Sequence, residues 1–257
     1  MTAPAPTSPH TGRPRPRWVT PVLLVLLGLT IGGYALYRQW TAVPAVFADA
    51  DAKLRAIPEP QRLELARQIE MRLPSQYSRR IEPGTDGSRT LDATFEELNA
   101  WLNLRLEPYL KNQGIAWPQG VGAVLVAERD GRLVLAADVD LPQLRQIVSV
   151  SFELLEVAPP SPEGSAETQW AVRVAGVRAG NVPLPRAQLA GLIRDQLGDA
   201  AQRASVAEFL DALEQDRAVP IPALKVDEAR RAAVTSLSVT PTGLSGTLRV
   251  WREPAND

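Results

Sequence analysis

The rhythm of apolar and polar positions changes three times along this chain. It opens with an unbroken apolar run: residues 18–37, WVTPVLLVLLGLTIGGYALY, are 20 consecutive positions without a charge. As a helix they span roughly 30 Å, the hydrocarbon thickness of a bilayer. Trp18 at one end and Tyr34, Tyr37 and Trp40 at the other fall at headgroup depth, where amphipathic rings concentrate. The basic RPRPR run at 13–17 precedes the segment, and only Arg38 follows it before Asp49 and Asp51. The positive-inside bias then predicts a cytoplasmic tail (1–17), a transmembrane anchor (18–40) and everything later outside. That describes a single-pass protein of the inner (cytoplasmic) membrane, its domain in the periplasm or outside the cell. A cleavable signal peptide competes, with Ala48-Asp49-Ala50 as a small-x-small site. The long apolar stretch, its aromatic end and the distance to that site favour an uncleaved anchor. Gly28-xxx-Gly32 offers only a weak small-residue packing face.

Helical periodicity follows. Residues 41–58 read as a partly helical juxtamembrane connector, and the extracytoplasmic domain is expected over 59–257. Pro60 opens a helix with Leu63, Ala66, Ile69 and Leu73 on one face, and Pro74 is expected to stop it. Residues 78–89 are a loop by composition. LDATFEELNAWLNLRLEPYL (91–110) carries a capping box, Thr94 with Glu97, before a face of Phe95, Leu98, Trp101, Leu102, Leu106 and Tyr109. Asn99 lies mid-helix, where a buried amide needs a partner; a structural tie is expected.

After Gly120 the period becomes two. VGAVLVAE (121–128) and RLVLAADVDL (132–141) flank Asp130-Gly131, a type I′ hairpin signal. Pairing across that turn sets Val126 opposite Leu135 and Val124 opposite Ala137. Leu133, Leu135, Ala137 and Val139 then share a dry face with Val124 and Val126, while Arg132, Asp138 and Asp140 point the other way. A third strand near 145–157 adds Val148, Val150, Phe152 and Leu154, and a fourth near 169–177 adds Trp170, Val172 and Val174. Between them 158–168 is loop. Pro185 suits the first position of a helix bearing Leu189, Leu192, Ile193 and Leu197 and ending at Gly198. Ser205-x-x-Glu208 suggests a second capping box, before Phe209, Leu210 and Leu213. Strands are expected near 219–226, 232–240 and 244–252, the last two joined through Thr242-Gly243. Grouped helices and sequential strands predict α+β with an antiparallel sheet.

Composition removes chemistry. The chain has no cysteine, and its one histidine is His10 in a Pro/Ser/Thr-rich tail. Thiolate and histidine metal sites, cysteine nucleophiles and a Ser-His-Asp triad are excluded. The net charge is −1; without the three arginines before Trp18 the remainder is about −4, a poor nucleic-acid binder. Asp138 and Asp140 lie about 7 Å apart on one strand face, too few oxygen ligands for calcium. No Walker motif or GxSxG occurs. No enzyme activity, metal or cofactor is expected.

Two motifs resemble a known family. LDATFEELNAWL (91–102) is similar to a capped helix preceding a long antiparallel sheet, and GNVPLPRAQLAGLI (180–193) to a proline-framed entry into a later helix. Both resemble membrane-anchored bacterial envelope proteins of the tubular lipid-binding (TULIP-like, YpmS-type) kind, over roughly residues 60–250. The chain departs from that pattern at Asp92, where threonine is common, and in its proline-rich loop at 158–163. The resemblance implies a curved antiparallel sheet wrapped around helices, with an apolar groove and lipid binding or transfer. On that reading Leu98, Trp101 and Leu102 of the helix face Val124, Val126, Leu133, Leu135, Val148, Val150, Phe152, Trp170 and Val172 of the sheet. The membrane and a lipid are the expected partners. A packed core gives the same apolar face, so a non-enzymatic structural or interaction subunit of an envelope complex stands as the alternative.

Overall fold

The computed structural model describes residues 19–78, 87–112, 114–141, 144–157, 169–226 and 230–252. The tail (1–17), Trp18 and the loop at 158–168 lie outside them. The chain divides into two compact units, Met1–Gln39 and Trp40–Asp257. The first contains most of helix α1 (Val19–Thr41). Among the residues described with their side chains, no helix is long and apolar enough to cross a membrane; α1 is so described only from Gly28 onward.

The second unit is α+β with antiparallel sheets. Helices α2 (Ala45–Ala56) and α3 (Glu59–Ser78) precede β1 (Ser88–Thr94), α4 (Phe95–Leu104) and α5 (Leu106–Asn112). Strands β2 (Val121–Arg129), β3 (Arg132–Leu141), β4 (Leu144–Val157), β5 (Gln169–Ala179) and β6 (Val182–Pro183) follow, then α6 (Arg186–Leu197) and α7 (Ala204–Glu214). The chain ends with β7 (Val219–Pro220), β8 (Leu224–Lys225), β9 (Arg230–Thr240) and β10 (Gly243–Arg252). Two sheets form where one was expected: β2-β3-β4-β5-β6, with β7 also on β5, and β1-β10-β9-β8. The Trp170 indole N–H donates to the Thr235 carbonyl at 3.1 Å and ties β5 to β9.

The hairpin expectation holds. Asp130 and Gly131 both have positive φ, 54° and 74°, the signature of type I′, and Val126 pairs with Leu135 and Val124 with Ala137. Other expectations shift. The capping box holds, with Thr94 extended as the cap and α4 starting at Phe95, but Ser88–Thr94 forms a strand, β1, that was not expected. Helix α3 runs through Pro74 to Ser78; the proline removes one backbone donor without ending the helix. The α7 cap is Arg203 rather than Ser205, since Arg203 is extended and Ala204 already helical. Pro185 is likewise the cap residue of α6 and not its first helical residue, so the helix starts one residue later than expected. Strand 219–226 reduces to the short β7 and β8. The β9–β10 turn is Pro241-Thr242, because Gly243 already pairs with Thr240.

The largest difference concerns residues 41–58. Phe47, Ala50 and Leu54 recur at i, i+3 and i+7, and all three are buried. They form one cluster with Ala66, Ala100, Leu125 and Ala136. The supposed connector is thus a core helix covering one face of the larger sheet. On the other face, α6 and α7 bury Leu189, Ala190, Leu210 and Leu213 against Val139, Val148, Val174 and Val177. A sheet apolar on both sides needs cover on both.

The entrance to α4 is pinned electrostatically. The Glu97 amide donates to the Thr94 hydroxyl at 3.2 Å, and the Thr94 amide donates to the Glu97 carboxylate at 2.9 Å. Arg72 of α3 donates to the same carboxylate oxygen at 2.8 Å. Burial opposes the charge on Glu97, but the Arg72 hydrogen bond, the Thr94 hydrogen bonds and the Arg72 charge outweigh it and hold the carboxyl below the usual glutamate range. Because the folded value lies below the unfolded one, this contribution is complete at neutral pH and is lost as pH falls through the folded value. Glu97→Gln keeps a capping-box residue and removes the ion pair. The melting-temperature gap between parent and Glu97→Gln is therefore expected to be largest near pH 7 and to shrink steadily from about pH 5 to 3. A gap independent of pH would contradict the assignment.

Candidate functional site

The larger sheet carries its clearest concavity where α6 crosses β3 and β4. Register sets Leu135 beside Val150 and Ala137 beside Val148, so four apolar side chains tile the floor. The small Ala137 sits among branched neighbours and leaves depth there. The opposite wall is the stripe Leu189, Leu192, Ile193 and Leu197 of α6, with Val139 and Leu141 closing one end. The resulting pocket is about 230 Å³ and open to solvent, and among the described residues Gln196 is the one polar side chain in its lining.

Polar ties outside the pocket hold α6 above the sheet. At its start, Arg186 donates to the Val174 carbonyl at 3.0 Å and pairs with Asp216 at 3.0 Å. Val174 adjoins the bulge in β5, where pairing passes from Ser151–Gly176 to Phe152–Val174. Toward its end, Arg194 pairs with Asp211 at 3.0 Å and also with Glu214, both on α7. The helix is thus positioned by its ends and by α7, and its central apolar stripe has no need to touch the floor everywhere.

Of the predicted groove residues, Leu135, Val148 and Val150 line this pocket. Leu133 and Phe152 pair with each other on the same face, and Phe152 packs into the α6–α7 cluster. Val172 and Trp170 continue along β5, away from the pocket lining. The predicted helical wall is corrected. Leu98, Trp101 and Leu102 lie on α4, which packs with α2 and α3 and carries Trp101 into the cluster on the opposite sheet face. The Trp101 indole N–H donates to Glu70 at 3.2 Å and its ring lies 5.9 Å from that of Tyr109.

Val124 and Val126 serve differently. β2 is an edge strand, and two asparagines of α4 close that edge. Asn99 donates to the Val126 carbonyl at 2.9 Å and accepts from its amide at 2.6 Å. Asn103 does the same for Val124, at 2.7 and 3.2 Å. Four residues of helix rise about 6 Å and two residues of strand about 6.7 Å, so asparagines at i and i+4 imitate a neighbouring strand. The expected structural tie of Asn99 is this one.

Asp140 pairs with Arg145 at 2.8 Å, and among the described residues no group of three acidic or metal-ligating side chains gathers. No known protein family, no curated protein and no solved structure matches this chain.

Proposed function

We propose that the chain is a membrane-tethered, extracytoplasmic, non-enzymatic domain that holds a segment of an acyl chain, or a similar apolar ligand, between α6 and the larger sheet. The pocket carries this reading, because it is open yet almost without polar atoms in its wall. The uncharged run at 18–37, its aromatic end and the arginines before it support the tether and its orientation. The resemblance to tubular lipid-binding envelope proteins points the same way.

Size decides between ligand classes. An apolar cavity of roughly 150 Å³ already admits a benzene-sized guest. Drug-sized ligands need about 300 Å³ or more. A pocket of about 230 Å³ therefore suits one chain segment rather than a whole two-tailed lipid. At about 30 Å³ per water-sized group it takes roughly seven carbons. Seven methylenes contribute about 5–6 kcal/mol, which places affinity between millimolar and micromolar. That range fits transient capture and release near a membrane better than storage.

The interaction-subunit alternative is favoured by Leu63, Met71 and Tyr109, which are exposed on α3 and α5. The experiment separates the two. Full-length protein is expressed with a C-terminal alkaline phosphatase fusion, then purified untagged and examined by native mass spectrometry. An active, carbonate-resistant fusion and a co-purifying single-chain lipid, lost in Ala137→Trp with the fold intact, are expected. An inactive fusion contradicts the orientation. A parent protein that neither carries nor takes up fatty acid leaves the interaction reading in its place.

A further inference from the structure

The opposite face of the larger sheet holds a second, chemically different concavity. We infer that it is a binding site for a phosphate group. It lies beneath the start of α2, has a volume of about 110 Å³, and is lined by Arg129, Arg132, Arg178, Ser149 and Ser151, with Asp130 at its rim. The site is separate from the apolar pocket, which lies across the sheet.

The strand register builds it. Ala136, Ser149 and Arg178 occupy one row across β3, β4 and β5; Val134, Ser151 and Gly176 occupy the next. Arg129 and Arg132 face each other across the hairpin end. The two serines therefore lie on the floor, with arginines from both sides. A side chain at Gly176 would meet nothing within 4 Å, so the floor beside Ser151 is open. Pro44, Val46 and Phe47 form the roof, and they belong to the first turn of a 12-residue helix with Pro44 at its cap. The positive end of that helix adds to the arginine charge.

Two features mark a site built for an anion. Ser149 is only 8 % exposed and lines the cavity, and among the described residues its hydroxyl has no hydrogen-bond partner. Among the described residues Arg132 and Arg178 form no ion pair, although the Arg132 charge acts on Glu153, and Arg129 has only a long contact of 3.6 Å with Asp130. Of the other carboxylates on this face, Glu153 is engaged by Arg173 at 2.5 Å, Asp140 pairs with Arg145 at 2.8 Å, and Asp138 lies outside the cavity lining. Two free guanidinium forks and two hydroxyls offer more donors than a carboxylate can accept, and they match the several oxygens of a phosphate. A phospholipid headgroup and a free phosphate or soluble phosphoester share that chemistry.

Full-length protein in phosphate-free maltoside micelles is titrated calorimetrically with inorganic phosphate, with dihexanoyl phosphatidate below its micellar concentration, and with acetate. Saturable phosphate binding is expected, with acetate at least about tenfold weaker. Arg178→Gln and Ser149→Ala should each weaken phosphate by about tenfold, and Arg132→Gln with Arg178→Gln should abolish it, with melting temperatures unchanged. Phosphatidate binding more than about tenfold tighter than phosphate assigns the site to a lipid headgroup; equal affinity assigns it to a soluble phosphate. Absence of saturable phosphate binding, or binding indifferent to these substitutions, overturns the inference.

Discussion

Asn99→Leu is expected to destabilise the domain by about 3 kcal/mol. Asn99 and Val126 are almost fully buried, at 4 % and 8 % exposure. The substitution strands one backbone N–H and one backbone C=O where water cannot replace the lost partner, at roughly 1–3 kcal/mol each. Leucine is the better helix former and restores a few tenths of a kcal/mol. In a domain of this size the loss corresponds to a fall of about 6–12 °C in melting temperature. Asn103→Ala should cost nearer 1 kcal/mol, because that site is only part-buried and water can substitute. The effects should not add, since both residues hold one helix to one strand. Thermal unfolding of the two single variants and the double variant checks this. A parent-like Asn99→Leu would mean that the edge of β2 needs no closure.

Gly243→Ala is the second large effect. A Cβ at this position would stand 2.1 Å from the Ala93 carbonyl oxygen and 2.8 Å from the Thr94 Cα. Both are backbone atoms, so no side chain can swing aside. Thr94 pairs with Gly243 at the end of β1, and the Phe95 amide donates to the Thr242 carbonyl at 2.9 Å. Relieving the clash must therefore lift β1 from β10 and disturb the Thr94–Glu97 cap. A loss of about 3 kcal/mol or more is expected, at the upper end of overpacking costs. Gly191→Ala is the matching control. It lies inside α6 with nothing within 4 Å of the added carbon, and should be stabilising by about 0.5–1 kcal/mol. Equal stabilities for the two variants would refute the close approach.

Local chemistry was legible where one residue type has one geometric use. Asp130-Gly131 placed the hairpin and its register, and the Thr94–Glu97 spacing placed the start of α4. The dry face of β3 and β4 was also readable from alternation. Which helix covers that face was not. VGAVLVAE is apolar on both sides, and the stripes of α4 and α6 are equally suited to either. Periodicity tells that a helix has an apolar face, never which surface receives it. Leu189, Leu192, Ile193 and Leu197 were visible as a stripe but not as the wall of a pocket. Phe47, Ala50 and Leu54 were masked by the alanines and acids around them and by their position after the apolar run. Arg129 and Arg132 flank one turn, but Arg178 lies on β5, and only register brings it to the same cavity. At Ser205 a capping pattern lost to the preceding turn, whose end at Arg203 was already extended.

An apolar chain is expected to enter the space between α6 and the sheet. Methyl-labelled protein titrated with octanoate, followed by carbon–proton correlation spectra, tests it most directly. Saturable shifts are expected at the methyls of Leu135, Val148, Leu189, Leu192 and Ile193, with those of Leu125 and Ala136 on the opposite face unmoved. Shifts confined to other residues, or none up to the solubility of the acid, would contradict it.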